Sequence, residues 1–412
     1  MTIALNKKRI TLYILLIVAI FLYMPPLIIA VDPRHNFLYK LIRSSAGVVS
    51  IIQIILSFFK RRVSDKIYPY MIGIFLCIIE IANLHYGYSF KKTDSYVIDA
   101  LNILGISCMI FNMYASNRIN YFLNSFITYT SILALSNVLT QIFNYRYGLY
   151  HNFKLSWQAY YLCGNPNSFV FFYIITLAVI YATAYKYGIY GLKIYGYFVN
   201  ACMFYSAAIG KSTTGSVCVL AFLILNIIVD TRIIYFLSKH SSAFFVIFAF
   251  FVFWFIGLRG WNMETLKEFV SNTVHEKKNL LTRGEIWDFA IKMIKKRPWQ
   301  GYGSVNPQLS YCASAGIKRS AHNTFLQILL YGGIPAFAMY LALLFIVVIK
   351  ASFCFNKWSV EYLSAFFIYL VSFLFEQNPF YVGFYVLLVL MFLESSDRKA
   401  EMVKFQGEQF VE

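Results

Sequence analysis

The stretch HNTFLQILLYGGIPAFAMYLALLFIVVI, residues 322–349, contains no Asp, Glu, Lys or Arg. A helix needs about 20 mostly apolar residues to cross the hydrocarbon core of a bilayer, and strands of soluble proteins are much shorter. The stretch therefore predicts a membrane-spanning helix. It begins with His322 and Asn323, which follow the cations Lys318 and Arg319, so a histidine stands where the chain enters the lipid.

Apolar runs of this kind recur along the whole chain, which is 59% hydrophobic and only 13% charged. Because strands of a membrane barrel would be about half as long, the runs predict helices. We expect an all-α, polytopic integral membrane protein with about twelve transmembrane helices. These cover residues 10–30, 37–59, 67–85, 96–115, 121–143, 168–187, 194–210, 214–232, 241–258, 322–349, 359–375 and 380–394.

The lysines and arginines of the short loops concentrate on one side of these spans. The positive-inside rule assigns that side to the cytoplasm, and an even number of spans leaves both termini there. The chain then divides into nine spans at 1–258, an extracytoplasmic loop at 259–321, three spans at 322–394 and a cytoplasmic tail at 395–412. Orientation in the membrane accounts for most of the net charge of +18, so no nucleic-acid partner is expected.

The long outer loop is itself basic, which suggests an anionic ligand. Within it, LTRGEIWDFAIKMIKKRPW at 281–299 predicts an amphipathic helix on the bilayer surface, with Thr282 and Glu285 as a capping box. Arg283 would occupy the first helical position, where a cation is unfavourable unless an anion binds beside it. We expect a phosphate there. The alternatives are contact with anionic lipid headgroups and a merely solvated arginine.

His322 is the candidate general base. A helix N-terminus and the neighbouring cations disfavour a charged imidazole, so we expect a neutral ring that accepts a proton. Ser320 is the expected cap of this helix. The alternative is an interfacial histidine that only caps the helix, and the sequence leaves both interpretations open.

A very short outer turn, GKST at 210–213, contains Lys211 and Thr213. It is not a P-loop, because Tyr205 stands where the motif has its first glycine and no soluble strand precedes it. A lone cation between two apolar runs is typical of a functional site or of a side chain that reaches back to the interface.

Two further outer segments contain candidate substrate-binding residues. CGNPNSF at 163–169 includes the amides of Asn165 and Asn167, for which a helix cap is the simpler alternative. PWQGYG, with Gly301 and Gly303, has a backbone able to cradle a phosphate, for which a flexible turn is the alternative.

The cysteines indicate no metal site, because the seven show neither a CxxC pair nor metal-binding spacing. Cys163 and Cys312 fall in outer segments, and spacing does not decide whether they pair. Acidic residues within the spans are few, namely Glu80, Asp99 and Glu361, which does not favour a proton-coupled pump. We expect no metal and no cofactor.

Three of these segments together resemble the O-antigen polymerase and O-antigen ligase superfamily. They are GNPNSF (164–169), RGEIWDFAIKMIKKRPWQGYG (283–303) and HNTFLQILLYGGIPAFAMYLALL (322–344). An arginine that opens an amphipathic segment, a proline–glycine–glycine stretch and His-Asn before a span occur in the order and spacing of the family. The resemblance is most specific over about 280–345 and looser over 163–220.

The resemblance implies a GT-C-like, inverting, metal-independent glycosyltransferase at the outer face of the bacterial cytoplasmic membrane. Its donor would be a glycan on undecaprenyl diphosphate. His322 would help to activate the acceptor hydroxyl and Arg283 would hold the diphosphate. Thr213 stands where the family has an arginine, so Lys211 is expected to substitute for it. The remaining candidates for substrate binding are Asn165, Asn167, Gly301, Gly303, Arg319 and Asn323.

The first hypothesis for the function is a polymerase of O-antigen, capsule or exopolysaccharide repeat units. A ligase that transfers the finished glycan to lipid A–core shares these motifs and is the alternative. A lipid-linked sugar flippase or transporter is the third, and it would need charged residues along a path through the spans. The expected partners are the lipid-linked donor and acceptor and membrane lipid, with a chain-length regulator and a flippase as candidate protein partners.

Overall fold

The computed structural model describes residues 7–60, 63–85, 90–144, 148–151, 159–229, 232–252, 254, 277–304, 311–312, 318–353 and 356–395. Helices dominate this part of the chain, and eight helical segments in it are long and apolar enough to cross a membrane. The predicted all-α, polytopic membrane fold is therefore confirmed. Strands in the described part form two short antiparallel ladders, β1 (Tyr150–His151) with β2 (Ala159–Tyr160) and β3 (Tyr311–Cys312) with β4 (Lys318–Arg319).

The helices are numbered in chain order, and a short 3-10 helix at Pro33–His35 precedes the third. Their bounds are α1 Lys7–Tyr23, α2 Leu27–Val31, α3 Asn36–Phe58, α4 Val63–His85, α5 Phe90–Ala115, α6 Ile119–Phe143, α7 Phe169–Tyr187, α8 Tyr190–Ile209, α9 Thr213–Ile227, α10 Arg232–Lys239, α11 Ser241–Val252, α12 Lys277–Lys296, α13 Thr324–Ser352, α14 Lys357–Phe375 and α15 Val382–Glu394.

Each of the twelve predicted spans contains a described helix. The eight segments with the length and hydropathy of a membrane span correspond to eight of the predictions. The other four are α8, which is long enough but less apolar, and the shorter apolar helices α9, α11 and α15. The short helix α10 is an element that the apolar pattern does not predict.

The first predicted span is divided between α1 and α2. Pro25 and Pro26 lie between the two helices. Because proline lacks a backbone N–H and restricts the residue before it, α1 ends at Tyr23. The amide of Ile28 then donates to the carbonyl of Leu162 (N···O 3.3 Å), which ties this turn to the segment before α7.

Helix α7 lies at the centre of the bundle. All its residues from Phe169 to Ala184 are buried, and it packs against α6, α8, α9, α14 and α15. The helix is apolar on every face, which is the pattern of a helix surrounded by other helices. In contrast, α3 exposes large apolar side chains such as Phe37 and Ile51, as expected of a surface that faces lipid.

Loops between helices meet at one end of the bundle, which we call the site end. The hydroxyl of Ser212, before α9, donates to the side-chain oxygen of Asn167, before α7 (3.0 Å). The hydroxyl of Thr324, at the start of α13, donates to the carbonyl of Glu376, after α14 (2.9 Å). The candidate residues of the outer segments are therefore distributed over neighbouring loops.

Helix α12 confirms the helix predicted in the outer loop, but it begins earlier than predicted. It starts at Lys277, so Thr282 lies inside it and Arg283 is its seventh residue. The preceding residues KKNLL at 277–281 include good helix formers, which extend the helix past the expected capping box. The prediction that Arg283 meets an anion at the free amides of a helix start is therefore wrong.

The apolar face of α12 packs on protein. Ile286, Trp287, Ala290 and Ile291 are buried, and the helix contacts α13. The tryptophan and the second isoleucine therefore belong to the buried face of this helix. The helix consequently lies against the bundle and not on the bilayer surface alone.

Candidate functional site

Asn165 organises the loop that precedes α7. Its side-chain oxygen Oδ1 accepts hydrogen bonds from the amides of Asn167 (3.1 Å) and Ser168 (2.9 Å) and from the Ser168 hydroxyl (2.8 Å). This arrangement is an Asx turn. The oxygen is engaged within the fold, which supports the capping interpretation, and a substrate contact of Asn165 stays a prediction.

Asn167 joins this loop to the turn that precedes α9. The Ser212 hydroxyl that donates to its Oδ1 also accepts a hydrogen bond from the amide of Gly215 (3.1 Å) and so caps α9. A Cβ on Gly210 would lie only 2.9 Å from the ring of Pro166, so the two segments are in close contact. The structure thus brings together two candidate segments that are 45 positions apart in the sequence.

Lys211 lies at the tip of this turn in an unusual backbone conformation. Its φ is +54°, in the left-handed region that favours glycine. A side chain in that region costs about 1–2 kcal/mol. The amide of Lys211 donates to the carbonyl of Ala208 (3.0 Å), and its side chain is exposed. Thr213, the first residue of α9, is also exposed.

His322 adopts the same conformation directly before α13. Its φ is +46°, and its side chain is half-buried. Besides Lys211, the only other non-glycine residue with positive φ in the described ranges is Asn117. Such strain persists where the surrounding structure holds it, and it is frequent at functional sites. Two of the three strained residues are therefore ones that the sequence analysis assigned to the site.

Asn323, and not the predicted Ser320, caps α13. Its Oδ1 accepts a hydrogen bond from the amide of Leu326 (3.0 Å), and its Nδ2 donates to the carbonyl of Leu374 (3.0 Å). The side chain is completely buried. Because His322 has positive φ, the helix begins three residues later than the predicted cap requires. Asn323 thus attaches α13 to α14, and this geometry does not support the predicted substrate contact.

The residues on both sides of His322 are fixed. Before it, the amide of Ala321 donates to the side-chain oxygen of Gln327 (3.1 Å). After it, Asn323 and Thr324 are bonded to the end of α14. The backbone of the histidine is therefore held in place, while its side chain remains partly accessible.

Helix α14 connects His322 to the turn at residues 210–213 that contains Lys211, which we call the lysine turn. The sulfur of Cys218, in α9, lies 3.1 Å from the hydroxyl of Ser372, in α14. Cys218 is about 7.5 Å of helix rise beyond the start of α9, and Ser372 is about 6 Å before Glu376. Helix α9 therefore begins, and α14 ends, at a similar level of the bundle. The lysine turn and the histidine flank the same end of α14.

Helix α13 is broken within its apolar run. Gly333 has φ +65° and ψ −161°, which interrupts the helix, and Pro335 follows two residues later. The amide of Ile334 donates to the carbonyl of Pro298 (2.7 Å), outside the helix. The helix thus consists of two halves, and His322 precedes the shorter one.

The segment after α12 fills this break. The amides of Tyr302 and Gly303 donate to the carbonyls of Leu330 (2.7 Å) and Tyr331 (2.8 Å), in the first half of α13. Together with the bond to the second half, these contacts join both halves to residues 298–304. We call residues 298–304 the staple. It links the helix that contains Arg283 to the half-helix that follows His322.

Glycines permit the close approach of the staple to α13. A Cβ on Gly301 would lie 2.6 Å from the amide nitrogen of Gly333, and one on Gly333 would lie 2.5 Å from the carbonyl oxygen of Trp299. The amide of Gly301 donates to the carbonyl of Arg297 (3.3 Å), and that of Gly303 donates to α13. Both glycine amides are therefore engaged within the protein, which does not support the predicted phosphate cradle.

Helix α4 holds the other side of the staple. The Oδ1 of Asn83 accepts a hydrogen bond from the amide of Ser304 (2.7 Å), and its Nδ2 donates to Glu80 (2.7 Å). Asn83 is completely buried. Sequence reasoning misses this residue, because a lone asparagine in an apolar run does not reveal a partner 221 positions away.

The arginines predicted to bind substrate are placed by their backbones. Arg283 lies on α12 and Arg319 on β4, in the ladder with β3, and their side chains are outside the described residues. Directly after α12, the guanidinium of Arg297 lies 5.4 Å from the centroid of the Tyr302 ring. Burial raises the pKa of the Tyr302 hydroxyl, which donates to the carbonyl of Met293 (3.0 Å).

Two residues near the site have roles that the sequence does not indicate. Glu376 is a half-buried acid beside the first turn of α13, and its position after a long apolar run is the only signal it gives. Cys163 is a buried free thiol, and burial raises the pKa of its sulfhydryl group. The structure therefore does not form the disulfide that its spacing left open, and the side chain of Cys312 is outside the described residues.

Residues 198–341 match the model of a protein family described as O-antigen ligase. The match covers 144 of 412 residues and includes the lysine turn, α12, the staple and His322, whereas Asn165 and Asn167 precede it. No significant match to the chain was found among curated proteins or solved structures. This match confirms, over residues 198–341, the resemblance of the chain to the O-antigen polymerase and O-antigen ligase superfamily.

Proposed function

We propose that the chain is a lipid-linked polysaccharide polymerase. It would join oligosaccharide repeat units carried on undecaprenyl diphosphate at the outer face of the bacterial cytoplasmic membrane, with both termini in the cytoplasm. The family match supports a polymerase or a ligase, and the apolar helices support a multi-pass location. The single observation that carries the proposal is that Lys211 and His322, both strained, flank the same end of α14.

His322 acts as the base in the proposed reaction. Its imidazole takes the proton of the acceptor hydroxyl while the hydroxyl oxygen bonds to the anomeric carbon of the donor. The bond between that carbon and the diphosphate oxygen breaks, and undecaprenyl diphosphate leaves with the electron pair. Attack opposite the leaving group inverts the anomeric configuration. A positioned base of this type contributes about 10²–10⁴ in rate.

Cationic side chains stabilise the departing diphosphate. Negative charge develops on the diphosphate oxygens as the bond breaks, and fixed cations lower the energy of that state. Lys211 supplies one exposed charge at the site end, and Arg283 supplies a second from α12. Thr213 and Asn167, beside the lysine, would contact oxygen atoms of the sugar or the phosphate. Arg319, on β4, is the third candidate cation.

A ligase is the second candidate function, because the matching family is described as O-antigen ligase. The donor and the leaving group would be the same, so the roles of Lys211, Arg283 and His322 would not change. Only the acceptor differs, namely a lipid-linked oligosaccharide for the polymerase and lipid A–core for the ligase.

Deleting the gene and analysing the lipid-linked and surface glycans separates these functions. A single repeat unit left on the anchor lipid is the expected result for a polymerase. Full-length chains retained on undecaprenyl diphosphate would instead identify a ligase, and repeat units confined to the cytoplasmic face would identify a flippase. Complementation with His322→Ala, with membrane insertion checked by immunoblot, should not restore long chains. Wild-type glycan in the deletion strain would contradict all three functions.

A further inference from the structure

A cavity of about 490 Å³ lies between α9, α10, α11 and α14. Its walls are apolar and include Leu225 of α9, Leu237 of α10, Phe248 and Phe251 of α11 and Leu363 of α14. Helix α9 ends, and α10, α11 and α14 begin, on this side of the bundle, so the cavity lies towards the end opposite the site end. None of the residues assigned to glycan transfer lines it.

The size and lining of the cavity suit a single hydrocarbon chain. An apolar protein cavity of about 150 Å³ accommodates one benzene molecule. In proportion, a cavity of this size holds about three such rings, or roughly 18 carbon atoms. This matches one acyl chain of a membrane lipid. The neighbouring helices α9, α11 and α14 are apolar, so lipid chains are the molecules available at this depth.

One polar group in the cavity wall points to the head of such a chain. Ser238, on α10, is only 3% exposed, and its hydroxyl has no hydrogen-bond partner among the described residues. A buried hydroxyl without a partner is unfavourable in an apolar environment. The ester carbonyl of an acylglycerol, whose carbon is the first of the acyl chain, would accept its hydrogen bond.

Positive charge lies beside this hydroxyl. Lys239 follows it directly and is exposed. Helix α10 contains no acidic residue. In a glycerophospholipid the phosphate is a few bonds from the ester, which would place it next to the lysine. A cation at this position favours an anionic lipid headgroup over a zwitterionic one.

We propose that this cavity binds one acyl chain of an anionic glycerophospholipid, with the ester at Ser238 and the phosphate at Lys239. The polyprenyl chain of a lipid-linked sugar is the competing occupant. Its headgroup would be at the site end, whereas α10 is at the other end, which favours the phospholipid. This site is separate from the proposed glycan transfer and stands or falls independently of it.

Native mass spectrometry of the full-length protein tests this site. The detergent-purified protein is incubated with phosphatidylglycerol, with phosphatidylcholine of the same acyl chains, or with undecaprenyl phosphate. The wild type should retain phosphatidylglycerol about tenfold better than phosphatidylcholine. Ser364→Phe, which fills the cavity, should reduce the retention of both phospholipids about tenfold. Lys239→Gln should lower the retention of phosphatidylglycerol to that of phosphatidylcholine.

Ile227→Phe is the matched control, because it adds bulk to α9 at an exposed position that does not line the cavity. It should retain lipid as the wild type does. Wild-type retention in a folded Ser364→Phe variant would overturn the proposal, and so would displacement of phosphatidylglycerol by undecaprenyl phosphate. If Ser364→Phe does not fold, the exposed Lys239→Gln still decides, because an unchanged preference for phosphatidylglycerol contradicts the assigned headgroup.

Discussion

At Lys211 and His322 the backbone holds a conformation that glycine adopts readily. In Lys211→Gly and His322→Gly, relief of strain should offset the greater flexibility of the unfolded chain, so the free energy of unfolding changes by less than about 1 kcal/mol. Synthesis of long glycan should nevertheless be lost in His322→Gly and reduced in Lys211→Gly. Thermal unfolding in detergent and glycan ladders on gels measure the two effects separately.

Asn117→Gly is the control for this pair. Asn117 has φ +54° and lies between α5 and α6, away from the candidate site. Its replacement should leave both stability and glycan synthesis near those of the wild type. Full-length glycan from His322→Gly would show that the strained histidine is not the base.

The proposed diphosphate clamp predicts a ranking among single cations. Lys211→Ala and Arg283→Ala should each reduce the rate with a lipid-linked donor by about 10²-fold or more, because in the proposed clamp each removes a charge that would stabilise the leaving group. Lys318→Ala, a loss of charge in the same outer region, should have a smaller effect. Initial rates with purified donor in detergent provide the comparison, and equally small losses in all three variants would exclude the clamp.

Asp32 gives a dependence of stability on pH. The Arg34 guanidinium, bonded to the Asp32 carboxylate (Nε···Oδ2 2.9 Å), holds the pKa of this carboxyl below its usual range. A lowered folded pKa stabilises the protein above the unfolded pKa of about 4, and this contribution disappears as the pH falls through the folded pKa. Asp32→Asn should therefore weaken the decrease in melting temperature below about pH 4.

Asp94→Asn, at an exposed acid of α5, is the control for the pH experiment. It should keep the wild-type decrease in melting temperature on acidification. The same decrease in Asp32→Asn would mean that the pair with Arg34 does not contribute to stability.

At the scale of elements, the close packing of the staple against α13 predicts different costs for replacing three glycines with alanine. Gly188, Gly301 and Gly333 all have φ near +65°, but a Cβ on Gly188 would meet open space. Gly188→Ala should cost only the conformational strain of about 1–2 kcal/mol. Gly301→Ala and Gly333→Ala should cost more and reduce glycan synthesis, since the added carbon would displace the staple. Melting temperatures and glycan ladders of the three variants test this, and equal costs would contradict the close packing.

The positions of the long apolar helices follow from the local sequence. The contacts between helices, and the breaks that those contacts stabilise, do not. Twenty apolar residues specify a span on their own, so the eight segments with the length and hydropathy of a span could be predicted. The start of α12 was misplaced because Thr282 and Glu285 have the spacing of a capping box, although the residues before them also favour a helix. The break at Gly333 was missed because a glycine pair is tolerated within an apolar run. The break is explained only by the staple, whose backbone forms hydrogen bonds with both halves of the helix.

The same distinction applies to single residues of the candidate site. Their local sequence can be interpreted, whereas their contacts with distant segments cannot be predicted from it. The apolar boundary at residue 322 predicts that His322 lies at the interface, and its neighbours favour a neutral imidazole. The buried contacts of Asn323 depend on α14, 51 positions later in the chain. Likewise, the contact between Asn167 and Ser212 requires α7 and α9 to be neighbours. No local pattern encodes such a pairing.

At the scale of the whole molecule, the proposed topology can be tested with single cysteines in a cysteine-free background. Lys211→Cys at the site end and Asn117→Cys at the opposite end are both at exposed positions. A membrane-impermeant maleimide added to intact spheroplasts should label the first and not the second. Lysed membranes should show labelling of both. The reverse pattern would place the site end in the cytoplasm and exclude an outer-face transferase.

Helix α7 has a consequence for biogenesis. It is buried on all sides, yet α14, one of its main neighbours, begins 170 residues after α7 ends. At ordinary rates of translation the ribosome needs roughly 10–30 s to synthesise that length. During this interval the face of α7 that later contacts α14 is exposed to lipid tails, and its apolar side chains suit that environment. Assembly of the fold therefore includes a late step in which α14 displaces lipid from this face of α7, and a polar substitution on that face would destabilise the intermediate that precedes the step.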